Sequence, residues 1–152
     1  KTIRNTLHQD KENVESNDGL EIGLCYYHPE KKSIIFSGSK ISLFYFDNGI
    51  HTIKGDRFKL GYKNKNSEIV DFTKHSVPVK KNTIFYLSTD GFFGQNGEDN
   101  EFPFGRSAFC ALLEQFYEKP LQEQMTIMDS NLKKFMGNKE QRDDITVLGF
   151  KI

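Results

Sequence analysis

The length and composition of the chain predict one soluble globular domain and argue against several classes of function. Its 152 residues suit a single core, and 36% hydrophobic residues with 14 phenylalanines can fill one despite a charged fraction of 28%. Twenty-one basic and 21 acidic side chains give zero net charge, which argues against nucleic-acid binding, and no apolar run approaches the roughly 20 residues that span a bilayer.

The first residues of the chain predict the tail of a helix followed by a loop. Ile3 and Leu7 lie four residues apart, which is the spacing of one helical face, and no N-cap residue precedes them. Residues 9–18 are polar and charged without periodicity, which predicts a loop. We therefore expect the chain to begin within a helix.

Two β-hairpins are predicted next, because apolar and β-branched residues dominate four short segments. The predicted strands are residues 20–26 with 34–36, and residues 41–46 with 50–53. Residues 29–32 supply the first turn, and Asp47-Asn48-Gly49 carries the signal of a type I′ turn. Ser37-Gly38-Ser39 is expected to interrupt the strands between the two hairpins.

Three further strands are predicted in the second half of the chain. Pro78 ends a short strand whose apolar residues are Ile69, Val70, Phe72 and Val77. Residues 83–88 are apolar in succession, which predicts a strand covered on both faces, and residues 145–152 predict the last strand. Strands mixed with helices favour an α+β layered sandwich in which helices cover a sheet.

Two helices are predicted between these last strands. They span residues 106–117 and 121–135, where apolar side chains recur at helical spacing. The inward faces are expected to carry Phe109, Leu112, Leu113 and Phe116 in the first helix, and Met125, Met128, Leu132 and Phe135 in the second. Each helix therefore predicts one apolar stripe facing the core.

Acidic residues occur at the ends of two predicted strands. Asp90 follows the strand 83–88, and Asp143-Asp144 precedes the strand 145–152. If these strands pair antiparallel, Asp90 and Asp143 share one rim of the sheet. Carboxylates at one rim suit a hard divalent cation such as Mg²⁺ or Mn²⁺. Aspartates also favour turns at such places, so the spacing alone leaves both a metal site and plain turn residues open.

Short motifs occur in a definite order along almost the whole chain. They are DGLEIGLC at 18–25, FSGS at 36–39, KGDRFKLG at 54–61, STDGFF at 88–93, FGR at 104–106 and RDDITVLGF at 142–150. In order and approximate spacing they resemble the SpoIIE-like branch of the PPM (type 2C) metal-dependent protein phosphatases. Finer details resemble the members of that branch that regulate bacterial aggregation and biofilm formation.

The resemblance implies a fold and a site. The fold is the PPM α-β-β-α sandwich of two antiparallel sheets flanked by helices, and the site is a binuclear Mn²⁺ or Mg²⁺ centre in which Asp90 and Asp143 are ligands. Asp144 is expected to orient the turn or to act through water, and Gly91 to allow a sharp backbone turn. Arg142 is expected to approach a phosphate or, more readily, to form a surface ion pair.

The resemblance also implies an activity. The intact enzyme would hydrolyse phosphoserine or phosphothreonine on a bacterial regulatory partner, such as a STAS-type anti-sigma-factor antagonist, through a metal-activated hydroxide. The expected location is the cytoplasm, either as a separate protein or as the cytoplasmic part of a membrane-anchored sensor, without membrane contact by this segment. Homodimer formation is left open.

The family's bridging aspartate lies in an Asp-x-x-Gly-His-Gly type segment, which residues 1–152 lack. We therefore expect a single incomplete domain over 1–152, with its N-terminal part missing and little activity alone. Two alternatives remain. One is a catalytically inactive phosphatase-like module that binds a partner or acts as a sensor. The other is a β-rich interaction domain in which Asp90 and Asp143 are only turn residues.

Overall fold

The computed structural model describes residues 19–61, 71–99 and 102–152. Its elements in chain order are β1 (Ile22–His28), β2 (Ser33–Ser39), β3 (Ser42–Phe46), β4 (Ile50–Ile53), β5 (His75–Pro78), β6 (Ile84–Ser88), α1 (Asp90–Gly94), α2 (Gly105–Phe116), α3 (Leu121–Met136) and β7 (Val147–Lys151). The strands form one sheet in the order β1-β2-β5 and another in the order β4-β3-β6-β7. None of the described helices is long and apolar enough to cross a membrane.

These elements fall into two compact units. One contains the three-stranded sheet, and the other contains most of the four-stranded sheet together with α1, α2 and α3. The predicted helix tail at 1–8 and the predicted loop at 9–18 lie outside the described residues. The prediction of a single domain over 1–152 stays a prediction.

The first unit is built on the predicted first hairpin. β1 and β2 pair antiparallel from Ile22 opposite Ser39 to His28 opposite Ser33. The expected interruption at 37–39 is wrong, because these residues continue β2. Gly38 is needed there for a different reason, since a Cβ would overlap the Ile41 carbonyl oxygen and approach Gly55 closely. Gly38 and Gly55, which belong to two different motifs, therefore allow their backbone segments to come into close contact.

The short strand before Pro78 begins later than predicted. β5 starts at His75 and pairs antiparallel with β2, with buried Val77 opposite Ile34. Phe72 precedes the strand, so its predicted place in the strand is wrong, while Ile69 and Val70 lie outside the described residues. Pro78 is the last strand residue, as the sequence predicts.

The second unit contains the predicted second hairpin and the buried strand. Asn48 and Gly49 have φ values of 55° and 138°, and a type I′ turn requires positive φ at both central positions. β6 lies between β3 and β7, and its residues Ile84 to Tyr86 are at most 6% exposed. The prediction of a strand covered on both faces is confirmed. β7 is shorter than predicted because it covers only 147–151.

The two predicted helices are present, and their ends differ from the prediction by about one residue. Of the predicted inward residues, those buried to 7% exposure or less are Phe109, Leu112, Leu113, Phe116, Met128 and Leu132. The prediction for Met125 is wrong, because this side chain is 58% exposed. Gln124 faces inward instead and is 1% exposed.

Candidate metal site

The register of the last two strands brings the two predicted ligands to one edge of the sheet. β6 and β7 are antiparallel, and Ser88 pairs with Val147. Asp90 therefore emerges from the end of β6 beside the segment that leads into β7 from Asp143. Both aspartates line one pocket of about 370 Å³. The predicted proximity is observed, and the role of the two carboxylates as metal ligands stays a prediction.

Asp90 opens a short helix that was not predicted. α1 has only five residues, which is too few for a helical period to be visible in the sequence. Phe92 and Phe93 are buried, and their rings contact Phe109 edge-to-face at centroid distances of 5.1 and 5.2 Å. These aromatic contacts pack α1 against the core and thereby fix the position of its exposed first residue, Asp90.

Gly91 serves close packing and not the predicted sharp turn. It lies within α1, and its φ is not among the positive values. A Cβ at this position would overlap the carbonyl oxygen of Asp144. The Asp-Gly pair therefore lets the segment carrying Asp90 approach the segment carrying Asp143 and Asp144.

Thr89 joins the same two segments by hydrogen bonds. Its amide donates to the Thr146 carbonyl at 3.0 Å, and its hydroxyl donates to the Asp144 carbonyl at 3.0 Å. The Thr146 amide donates back to the Thr89 hydroxyl oxygen at 2.9 Å. The pairing of β6 and β7 is thereby extended by side-chain contacts up to the pocket.

The two adjacent aspartates act differently. The Asp144 amide donates to Asp143 Oδ1 at 2.7 Å, which orients the Asp143 carboxylate and leaves it further acceptor capacity. Asp144 contributes its main chain to the rim, and its side chain is exposed and does not line the pocket. This agrees with a turn-orienting role for Asp144.

Two arginines line the pocket beside the aspartates. Arg142 was predicted either to approach a phosphate or to form a surface ion pair, and no ion pair within the described ranges includes it. Arg106 was not predicted as a site residue, although it belongs to the motif Phe104-Gly105-Arg106. Its guanidinium carbon lies 4.9 Å from the centre of the Phe93 ring, which is a cation–π distance.

Gln95 is the residue whose role the sequence did not reveal. Its side chain is completely buried, and its Oε1 accepts a hydrogen bond from the Arg142 amide at 3.0 Å. Its Nε2 donates to the carbonyls of Glu140 at 3.0 Å and Asn96 at 3.2 Å. A glutamine in a polar stretch is normally exposed, so no sequence signal indicated this burial.

The carboxylate oxygens at this pocket are ligand atoms that suit a hard divalent cation. Asp90 and Asp143 offer only oxygen atoms, which Mg²⁺ and Mn²⁺ prefer. Within the part of the chain that the structure describes, no group of three or more His, Cys, Asp or Glu side chains could hold a metal. The two carboxylates therefore fit as part of a site that water or other residues would complete.

The cysteines offer no competing chemistry. Cys25 and Cys110 are free and half-buried. Burial raises the pKa of the Cys25 thiol to about 11, and burial also raises the pKa of Cys110. Both thiols are therefore protonated near neutral pH and are poor nucleophiles or metal ligands.

Comparison with known proteins gives consistent matches. The family model of Stage II sporulation protein E (SpoIIE) matches residues 5–152. The SiaA-PP2C domain of Pseudomonas aeruginosa has a similar structure, with a TM-score of 0.82 and 31% sequence identity over 98% of this chain and 57% of that chain. A search of curated proteins found no match.

Two structures of the phosphatase domain of the cell fate determinant SpoIIE from Bacillus subtilis, one of them Mn presoaked, are also similar. Their TM-scores are 0.63 and 0.62 at 13% and 14% identity, over 97% and 99% of this chain and 62% and 63% of theirs. At this identity the likeness shows the fold alone, and it confirms the predicted fold of two antiparallel sheets with helices. The chain spans less than two thirds of each of these solved chains.

Proposed function

Because the SpoIIE family model covers residues 5–152, the chain belongs to the SpoIIE family, and we propose that it forms part of a metal-dependent protein serine/threonine phosphatase. The observation that carries the proposal is the pocket where Asp90 and Asp143 meet from two antiparallel strands. The likeness to the SiaA-PP2C domain supports the same class of activity.

Asp90 and Asp143 would hold the cation, which we take to be Mn²⁺ or Mg²⁺ in a binuclear site of the intact domain. When bound, the cations would supply positive charge at the phosphoryl group and lower the pKa of a water molecule. Arg106 and Arg142 line the same pocket and can donate charge-assisted hydrogen bonds to phosphoryl oxygens. The bridging carboxylate would come from the family's Asp-x-x-Gly-His-Gly type segment, which residues 1–152 lack.

The substrate we propose is a phosphorylated switch protein of STAS type or a similar regulator. Both aspartates are exposed at the rim, which suits a phosphorylated side chain presented on a protein surface. Homodimer formation, a cytoplasmic location and a role in bacterial aggregation stay predictions.

The test is Mn²⁺-dependent hydrolysis of a phosphoserine peptide and of p-nitrophenyl phosphate by the full-length protein. Asp90→Asn and Asp143→Asn should each lower activity at limiting Mn²⁺ by more than about 100-fold, because each removes a ligand charge. Asn at 143 can still accept the hydrogen bond of the Asp144 amide, so circular dichroism should stay unchanged.

Asp129→Asn is the matched control. Asp129 is exposed on α3, where it pairs with Lys133 at 2.7 Å, and it does not line this pocket. Its variant should keep wild-type Mn²⁺ dependence. An Asp143→Asn protein with wild-type activity at limiting Mn²⁺ would refute the ligand assignment. A full-length protein that folds and binds a partner without hydrolysis would favour the inactive binding module.

A further inference from the structure

A single buried side chain connects the two segments that carry the candidate ligands. Gln95 directly follows α1, the helix that begins with Asp90. Its amide group accepts from the Arg142 amide and donates to the Glu140 carbonyl, both at 3.0 Å. Arg142 is the residue before Asp143, so the hydrogen bond to its main chain acts one peptide unit away from the second candidate ligand.

Glu98 makes a second connection to the loop between α3 and β7, at the start of that loop. Its carboxylate accepts hydrogen bonds from the Asn138 side chain at 2.7 Å and from the Asn138 amide at 3.2 Å. The Glu98 amide donates to the Phe135 carbonyl at 3.3 Å. The residues after α1 therefore hold the loop between α3 and β7 at its start and, through Gln95, immediately before Asp143.

Of these two connections, Gln95 has the greater effect on geometry. It is 0% exposed, whereas Glu98 is exposed to solvent. Water can replace lost partners at an exposed carboxylate. The Gln95 amide instead holds the Arg142 amide and the Glu140 carbonyl from the buried side, where an apolar replacement would offer them no partner. The position of the loop before Asp143 therefore depends on the Gln95 amide.

We propose that Gln95 is a positioning residue of the metal site, whose amide holds Asp143 at the separation from Asp90 that a shared cation requires. The proposal rests on the proposed function, because it needs a cation between these carboxylates. Side chains that orient metal ligands through hydrogen bonds typically change metal affinity by about 10–100-fold when they are removed.

The test compares two buried glutamines in the full-length protein. Gln95→Met and Gln124→Met each replace a buried amide that makes three hydrogen bonds by an apolar side chain of similar size. Gln124 does not line the pocket of the two aspartates. The readout is the Mn²⁺ dissociation constant, measured by isothermal titration calorimetry, with thermal unfolding as the measure of stability.

Both variants should lose stability, but only Gln95→Met should bind Mn²⁺ about 10–100-fold more weakly. Gln95→Glu should lie between wild type and Gln95→Met in affinity, since a carboxyl group that burial keeps protonated can accept from the Arg142 amide but has one proton for the two carbonyls that Gln95 serves. This variant also provides the test if the methionine variant does not fold.

The possible failures are distinguishable. Wild-type protein that binds no Mn²⁺ would overturn the proposed function, and this proposal with it. Wild-type protein whose Mn²⁺ binding is lost in Asp143→Asn but unchanged in Gln95→Met would overturn the positioning role alone. Equal losses of affinity in Gln95→Met and Gln124→Met would also overturn it, because they would indicate a general effect of destabilisation.

Discussion

Close packing at Gly91 decides whether the segments carrying Asp90 and Asp143 can meet. Thr89, the residue before Asp90, holds the same two segments together, because its hydroxyl donates a hydrogen bond to the Asp144 carbonyl at 3.0 Å. There is no room for a Cβ at Gly91, since the Asp144 carbonyl oxygen occupies that space. Glycine at position 91 is therefore required by packing between two segments more than 50 residues apart.

Gly91→Ala should destabilise the protein by about 1–3 kcal/mol, because the added methyl group must displace backbone atoms. It should also lower Mn²⁺-dependent activity by separating the two aspartates. Urea denaturation and activity at limiting Mn²⁺ measure the two effects. Gly94→Ala, in the same helix, is the control for stability, because a Cβ there meets no atom within 4 Å. Equal stability of the two variants would contradict the packing argument.

At the scale of elements, α3 shows how a polar residue can hold a helix in place. Its inward positions are Gln124, Met128 and Leu132, spaced four residues apart. Gln124 accepts a hydrogen bond from the Tyr86 hydroxyl at 2.7 Å and donates to the carbonyls of Tyr117 and Lys119 at 3.1 and 2.8 Å. The glutamine thus connects α3 with β6 and with the segment that follows α2.

Gln124→Met should lower the free energy of unfolding by about 1–3 kcal/mol, because the buried Tyr86 hydroxyl and two partly buried carbonyls lose their partner. Gln122→Met is the control on the same helix, since Gln122 is exposed and should change stability by less than about 0.5 kcal/mol. The comparison uses thermal unfolding of the full-length protein. If Gln124→Met matched the control, the buried hydrogen bonds would contribute little.

At the scale of the whole molecule, the site depends on contacts between segments distant in sequence. Antiparallel pairing of β6 with β7 places Ser88 opposite Val147. Three helices and their loops lie between the paired strands in the chain. The described residues thus bring two carboxylates to the pocket, and a two-metal hydrolase needs more ligands than these.

Because residues 1–152 lack the family's Asp-x-x-Gly-His-Gly type segment, we expect them alone to show little or no Mn²⁺-dependent hydrolysis of p-nitrophenyl phosphate, whereas a protein extended upstream should be active. The measurement compares the two proteins over a range of Mn²⁺ concentrations, with circular dichroism as the control for folding. Full activity of the shorter protein would mean that residues 1–152 hold a complete site, contrary to this expectation.

The sequence by itself determined the features that depend on local periodicity and on motif order. Apolar and β-branched segments with turn signals predicted the hairpins, helical spacing predicted α2 and α3, and the strand ends predicted that Asp90 and Asp143 meet. The signals for the hairpins and helices are local. The meeting of Asp90 and Asp143 additionally needed the assumption that their strands pair antiparallel. The motifs also indicated the family before any contact was known.

Only the tertiary structure decided the roles of Gln95, Gln124 and Gly91. The two glutamines are buried because their partners, such as the Arg142 amide and the Tyr86 hydroxyl, come from distant segments. The sequence alone does not indicate which distant groups a polar side chain will meet. Apolar Met125 was therefore predicted to face inward on α3, whereas the buried residue is Gln124. The need for glycine at 91 likewise comes from the Asp144 carbonyl, because steric exclusion is a property of neighbours in space.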